Sequence, residues 1–285
     1  MSRRRQKELL DPRWSRESSS DSIRVEGTGG VRRPPHTALP PRLRRNEIRT
    51  MYEFAPYVSS CITGRRCIFL DLKRDQYFAV TAARVHRLAP LLTDWHPEPR
   101  ESDLPGAQDE SSTDVAEELL KAGLLCNAPP FPTPRPPLPA RATRELHQPA
   151  RSPIAHGRSR HSLPALLAML RASLALRQTP LWRIADRIRA GKEHPKPDLS
   201  DPPPWEVGSI TTTFLQIRPW YPRDYLCLYD SLALMLLLGS YRIHADWLFG
   251  VREDPFLAHC WVQHKSTVLN DRLDRIRPFI PILAI

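Results

Sequence analysis

Prolines divide this chain before any other feature does. Residues 129–153 hold nine of its 31 prolines. A segment that rich in proline can complete neither a helix nor a central strand, since each proline lacks a backbone donor and has its φ fixed at about −65°. An extended, semi-rigid linker is therefore expected over 129–159, and whatever folds must do so on either side of it. Residues 1–50 form a second unpacked region. Their Ser-Ser-Ser-Asp-Ser, Gly-Thr-Gly-Gly and Pro-Pro-His-Thr-Ala-Leu-Pro-Pro runs carry too little apolar surface to offset the entropy of ordering, so a disordered tail is expected there. Two folded units remain, about 51–128 and 160–285.

Charge follows the same division. The tail has 13 Lys/Arg against 6 Asp/Glu, a net of +7 out of the chain's +11. The basic balance thus belongs to a tail, not to a binding face, and the case for a nucleic-acid partner loses most of its support. The longest clean apolar run, Leu232 to Leu238, is far short of the roughly 20 residues a spanning helix needs. No apolar stretch follows the opening Met-Ser-Arg-Arg-Arg, so a signal peptide is not expected. The cytoplasm is the expected location, with Cys61, Cys67, Cys126, Cys227 and Cys260 reduced. No two of them form a CxxC pair, so no metal is expected.

In the first unit, Val58–Ile62, Cys67–Asp71 and Tyr77–Thr81 read as three short strands. Gly64-Arg65-Arg66 and Lys73-Arg74-Asp75-Gln76 supply the turns. The second and third strands read as a hairpin with one buried face. A helix over Ala82–Leu92 would put Val85, Leu88 and Leu92 on one stripe. A second helix would start from Ser112 or Thr113 as cap, turn Val115, Leu119 and Leu120 inward, and stop at Gly123. Strands followed by helices in so short a span suggest a winged-helix-like module.

The second unit opens with an amphipathic helix over Pro164–Leu176, interrupted only by Arg171, and a possible helix over Leu181–Ala190 ending at Gly191. A polar, Pro-rich stretch covers 191–206. The chemistry lies beyond it. Leu226 to Gly239 is apolar nearly all round, which predicts a buried helix. Cys227 falls in its first turn, where the helix dipole and free N–H groups favour the thiolate. Ile243–Val251, Leu257–Gln263 and Thr267–Leu269 then read as three successive strands. His259 lies within the second of them, and Asp271 follows the third. Cysteine catalysis needs a thiolate, an imidazole within reach, and a group that holds the imidazole's other nitrogen. The fold class implied is α+β, in two units.

Cys-Leu-x-x-Ser-Leu-Ala-Leu from Cys227, Ala-His-x-Trp-Val around His259 and Leu-Asn-Asp ending at Asp271 together resemble the transglutaminase-like cysteine peptidases of lasso-peptide biosynthesis, the lasso B proteins. The resemblance covers about 160–285. It implies a transglutaminase-like, papain-like peptidase domain with a Cys227–His259–Asp271 triad. Ile68-Phe69-Leu70-Asp71-Leu72 with Tyr77-Phe78 resembles the winged-helix element with which enzymes that modify ribosomal peptides hold a precursor's leader. There the leader adds as a strand along the third strand, so Tyr77, Phe78 and Val80 are the implied leader contacts. The resemblance further implies a precursor peptide as substrate and an ATP-using, asparagine-synthetase-like cyclase as partner. The peptidase itself would need no cofactor.

Several alternatives stay open at this point. Cys260 and Gln263 stand where that family often has Ala and Glu, and strand alternation would turn Cys260 away from His259. Asn270 or Asp246 could orient the histidine in place of Asp271. The Cys227 backbone N–H is the natural oxyanion donor, with Gln216 as a possible side-chain donor. The first unit could instead be a DNA-binding winged helix joined to a non-catalytic domain. The triad could also pass its acyl group to an amine in place of water.

Overall fold

A computed structural model describes residues 51–92, 111–128, 137–146, 160–193 and 203–285. The basic tail, most of the linker, and much of the stretch read as polar and Pro-rich lie outside them. Helix and strand are mixed throughout.

The first unit runs β1 (Tyr52–Phe54), β2 (Val58–Thr63), β3 (Arg66–Asp71), β4 (Gln76–Thr81), α1 (Ala82–Leu88), α2 (Ser112–Lys121) and β5 (Leu125–Asn127). Strands β2, β3 and β4 form an antiparallel meander in that order. Its turns use left-handed backbone at Gly64 (φ 52°) and Asp75 (φ 58°). The Asp71 carboxylate accepts the Lys73 and Arg74 N–H groups at 2.8 and 3.1 Å, an Asx-type turn. The first helix ends at Leu88, short of the expected Leu92, and continues only as a 3-10 turn through Pro90. Proline cannot donate the next helical hydrogen bond. Helix α2 is capped by Ser111, whose side chain accepts from the Thr113 N–H, one residue earlier than expected. Gly123 does end it, at φ 71°. The β1–β5 pair was not legible in advance, because three residues per strand carry no periodicity.

The hairpin has two buried faces, not one. Cys67 and Phe69 pack on Val85, Leu88, Val115 and Leu119 of α1 and α2. Ile68 and Leu70 point the other way, into the core of the second unit. The two units thus share a core through β3. Tyr57 donates its hydroxyl to Asp186 at 3.1 Å and sits edge-on to Trp182. Arg66 pairs with Glu253 at 3.5 Å.

The second unit consists of α3 (Ser162–Gln178), α4 (Leu181–Glu193), α5 (Pro204–Ile217), α6 (Cys227–Ser240), β7 (Asp246–Arg252), β8 (Leu257–His264), β9 (Thr267–Val268), α7 (Leu273–Ile276) and β10 (Ile280–Ala284). Four helices depart from the sequence reading. Helix α4 runs past Gly191, and α6 past Gly239. Helix α5 begins where only a polar stretch was expected, with Pro204 at its first turn, a position that tolerates proline. Helix α3 is amphipathic in an unexpected sense: Leu163, Leu166, Leu167, Leu170 and Leu174 are exposed, while Ala165, Ala168, Met169 and Ala172 are buried. Small residues let α3 approach α6 closely enough for the Tyr229 hydroxyl to donate to the Met169 carbonyl at 3.0 Å.

The sheet order is β10-β7-β8-β9-β6. The last member, β6 (Arg144–Glu145), comes from the segment read as linker and pairs parallel to β9. Thr143 N–H donates to the Ser266 carbonyl at 2.9 Å, and the Gln263 amide donates to the Ala140 carbonyl at 2.8 Å. This part of the proline-rich segment is therefore a docked sheet edge. Helix α6 covers one face of the sheet, with Leu232, Leu234, Leu237 and Leu238 fully buried. On the other face Leu248, Trp261, Val268 and Ile276 form a smaller cluster.

Candidate active site

Cys227 is the first residue of α6. The chain entering it is tied down by a buried ion pair. Asp230 accepts from the Leu226 N–H at 3.1 Å, capping the helix from within, and also bonds Arg218. Arg218 in turn donates to the carbonyls of Arg223 and Asp224 at 3.1 and 2.7 Å. One turn on, Ser231 Oγ donates to the Cys227 carbonyl at 2.6 Å. The thiol is thus held at the positive end of a buried helix.

His259 lies on β8 opposite Gly250. Its ring is flanked by Trp261, stacked at 6.1 Å, and Phe279 at 5.2 Å. A Cβ at position 250 would lie 2.8 Å from the Trp261 ring, so only glycine allows this stack. His259 Nε2 is 2.5 Å from Asp271 Oδ2, which leaves Nδ1 for Cys227. The neighbouring amide does something else: Asn270 Oδ1 accepts from the Val262 N–H at 2.7 Å, fixing the chain beyond β9. Asp246 is engaged by Lys192 at 3.0 Å. Of the three candidate orienters, Asp271 is the one that meets the imidazole.

The electrostatics follow from these contacts. Hydrogen bonding from Cys260, and then from His259, overcomes burial and brings the Cys227 thiol down to about 4. Burial would lower His259, but hydrogen bonds to Asp271 and Cys227 outweigh it and raise the imidazole to about 9. Burial would also raise Asp271. The His259 bond, the Arg272 N–H at 2.8 Å and Arg275 together hold it below the usual carboxylate range. Between those limits the pair is a thiolate beside an imidazolium, able to attack an acyl carbon and to protonate a leaving amine.

Other residues fall differently from the sequence reading. Gln216 is exposed on α5, and no interaction among the described residues ties it to Cys227. Cys260 does turn to the opposite side of β8 from its neighbours, and this brings its sulfur 3.3 Å from Ser231 Oγ on α6. Tyr77 packs its ring edge-on to Phe256 at 5.6 Å. Phe78 and Val80 pack on the first unit's core. Arg218, Asp230, Ser231 and Cys260 were not anticipated as site residues. For Asp230 a signal existed, since an acid three residues after a helix's first position can cap it.

Residues 166–284 match the family model of the Transglutaminase-like superfamily. The match runs from α3 to the last residue of β10 and spans Cys227, His259 and Asp271. The chain therefore carries a transglutaminase-like domain, of a superfamily that includes cysteine peptidases. No curated protein and no solved structure matches the chain. Among the described residues no helix is long and apolar enough to cross a membrane, and no cluster of three or more His, Cys, Asp or Glu could hold a metal ion.

Proposed function

We propose that this protein is a cysteine peptidase that removes the leader from a lasso-peptide precursor. The observation that carries the peptidase reading is the His259–Asp271 hydrogen bond beside a thiol at a helix start. Cys227 thiolate attacks the scissile carbonyl and forms a tetrahedral intermediate. The Cys227 N–H, at the helix start, would donate to the developing oxyanion. Collapse of the intermediate breaks the amide, and the His259 imidazolium gives its proton to the leaving amine. Water, deprotonated by His259, then hydrolyses the thioester. Asp271 holds the ring's tautomer throughout.

The substrate class rests on the first unit. Strand β4 pairs only with β3 among the described residues, so one edge is free to receive an added strand. That edge borders a cavity of about 1350 Å³, walled on one side by Glu118 and Leu119 and reaching Leu228 and Phe256 on the other. A leader laid antiparallel on β4 would bring its C-terminal end to Tyr77, which faces Cys227. Because Tyr77, Phe78 and Val80 point into the two cores, the strand's backbone supplies the leader's hydrogen bonds, and α2 supplies side-chain contacts. The freed core amine would pass to an asparagine-synthetase-like cyclase, which uses ATP. The DNA-binding reading gains nothing: Arg66 pairs with Glu253, Arg74 donates to the Ala122 carbonyl, and Lys73 lies over Tyr57 and Trp182.

The test is incubation of precursor peptide with wild type and Cys227→Ala, read by mass. One cut at the leader–core junction, lost in the variant, is expected. A precursor left whole by wild type even with cyclase and ATP present would overturn the reading.

A further inference from the structure

We infer that the leader groove has a second wall, built by the α3–α4 corner of the second unit, where Arg177 binds an acidic side chain of the leader; this rests on the leader reading proposed above. Strand β4 settles how a peptide would lie. In its register Thr81 stands opposite Arg66, and the Ala82 N–H donates to the Arg65 carbonyl at 2.7 Å. Thr81 is therefore a non-hydrogen-bonded position, and by alternation so are Ala79 and Tyr77. Their N–H and C=O groups point away from β3, along the edge that no other described strand covers. A strand added there would lie about 4.8 Å from β4, and side chains directly opposite one another share a face. The Tyr77 and Ala79 side chains pack on the second unit's core, and those of Phe78 and Val80 on the first unit's. Leader residues opposite Phe78 and Val80 therefore turn toward α2, and those opposite Tyr77 and Ala79 turn toward the second unit.

On that side the cavity beside β4 is walled by Leu176 to Trp182, the end of α3 and the start of α4. This corner is fixed to the first unit. Leu176 and Leu181 share a core with Ile68 and Leu70, and Tyr57 bonds Asp186 and abuts Trp182. The groove therefore has a set width. Most of its charged groups are already engaged. Glu118 pairs with Arg84 at 2.5 Å, Arg74 pairs with Asp71 at 3.5 Å, and Lys73 lies over Tyr57 and Trp182. Arg177 differs: it is exposed, it lines the cavity, and its guanidinium makes no hydrogen bond or ion pair among the described residues. A guanidinium left without a carboxylate complements one on the incoming peptide, and its fork can bind both oxygens at once. Trp182, in the same wall, is half-buried and offers ring surface to an apolar leader side chain. The leader is thus read on both faces, by α2 on one and by the second unit on the other.

The test is binding of the fluorescein-labelled leader peptide to the full-length protein, read by anisotropy, with KM and kcat for precursor cleavage. Arg177→Glu is expected to weaken leader binding about three- to tenfold, a loss that shrinks as salt is added and appears in KM more than in kcat. Trp182→Ala is expected to weaken binding about tenfold. Arg177 is exposed, so Arg177→Glu keeps the test sound if Trp182→Ala folds poorly. Each Asp or Glu of the leader is also replaced by lysine in turn. One such peptide is expected to bind wild type more weakly and to regain affinity for Arg177→Glu. Wild-type affinity in Arg177→Glu, or the lack of any lysine peptide that regains affinity for it, would overturn the inference. Failure of the leader reading has a different signature: wild type binds no leader at all, and the inference falls with it.

Discussion

Cys61 on β2 and Cys227 on α6 are both half-buried thiols packed against the same core, yet they end as opposites. Burial alone acts on Cys61 and pushes its thiol up to about 12. The same burial acts on Cys227, but hydrogen bonds from Cys260 and His259 bring it down to about 4. The difference is one of partners, not of exposure. Cys61 sits inside an edge strand paired with β3, and among the described residues no donor is aimed at its thiol. A helix start has N–H groups to spare, and here β8 adds an imidazolium and a second thiol. A reactive cysteine is made by the donors aimed at it, and burial then shields those donors from water.

The comparison breaks most directly at His259. His259→Ala removes both the cation and the proton donor. Precursor cleavage is expected to fall on the order of 10³-fold or more, and the pH midpoint of Cys227 alkylation to move toward that of Cys61. Cleavage kept within about tenfold of wild type would mean that the partner does not make the nucleophile.

Next is the pH profile. The proposed mechanism needs Cys227 deprotonated and His259 protonated. Steady-state cleavage should rise as pH passes about 4, where Cys227 loses its proton, and fall as pH passes about 9, where His259 loses its own. A rate still climbing at the alkaline end would place Cys227 with Cys61 as an ordinary buried thiol.

The smallest effect is expected at Gly250. Gly250→Ala puts a Cβ 2.8 Å from the Trp261 ring and 3.0 Å from the Phe279 Cβ, the two groups that flank His259. The overpacking should cost about 1–3 kcal/mol, seen as a lower Tm in thermal denaturation, with cleavage reduced less than in His259→Ala. An unchanged Tm would show that the ring platform yields without strain.

Much of the site was legible in sequence because its signals are local. A cysteine opening a leucine-rich helix, a histidine within an alternating strand, and an Asn-Asp pair after a third strand each stand within a few residues of their cue. The β2–β3–β4 meander was legible for the same reason, its turns marked by Gly64-Arg65-Arg66 and Lys73-Arg74-Asp75-Gln76. Strand β10 was not, because it depends on pairing with β7, and neither was β6, which depends on β9 across more than a hundred residues of chain. The outward leucines of α3 defeated a reading by hydrophobic stripe. Close packing against α6 selected its alanines instead.

By itself, the order of residues determined which groups are available for chemistry and in which elements they sit, since helix dipole, strand alternation and turn type are properties of neighbours along the chain. Only the tertiary structure decided which groups meet. It gave the imidazole to Asp271 and not to Asn270 or Asp246, set Cys260 against Ser231 of α6, and joined the two units through β3. Those outcomes depend on sheet register and interhelical distance, which sum the packing of residues far apart in sequence and leave no mark within any one segment.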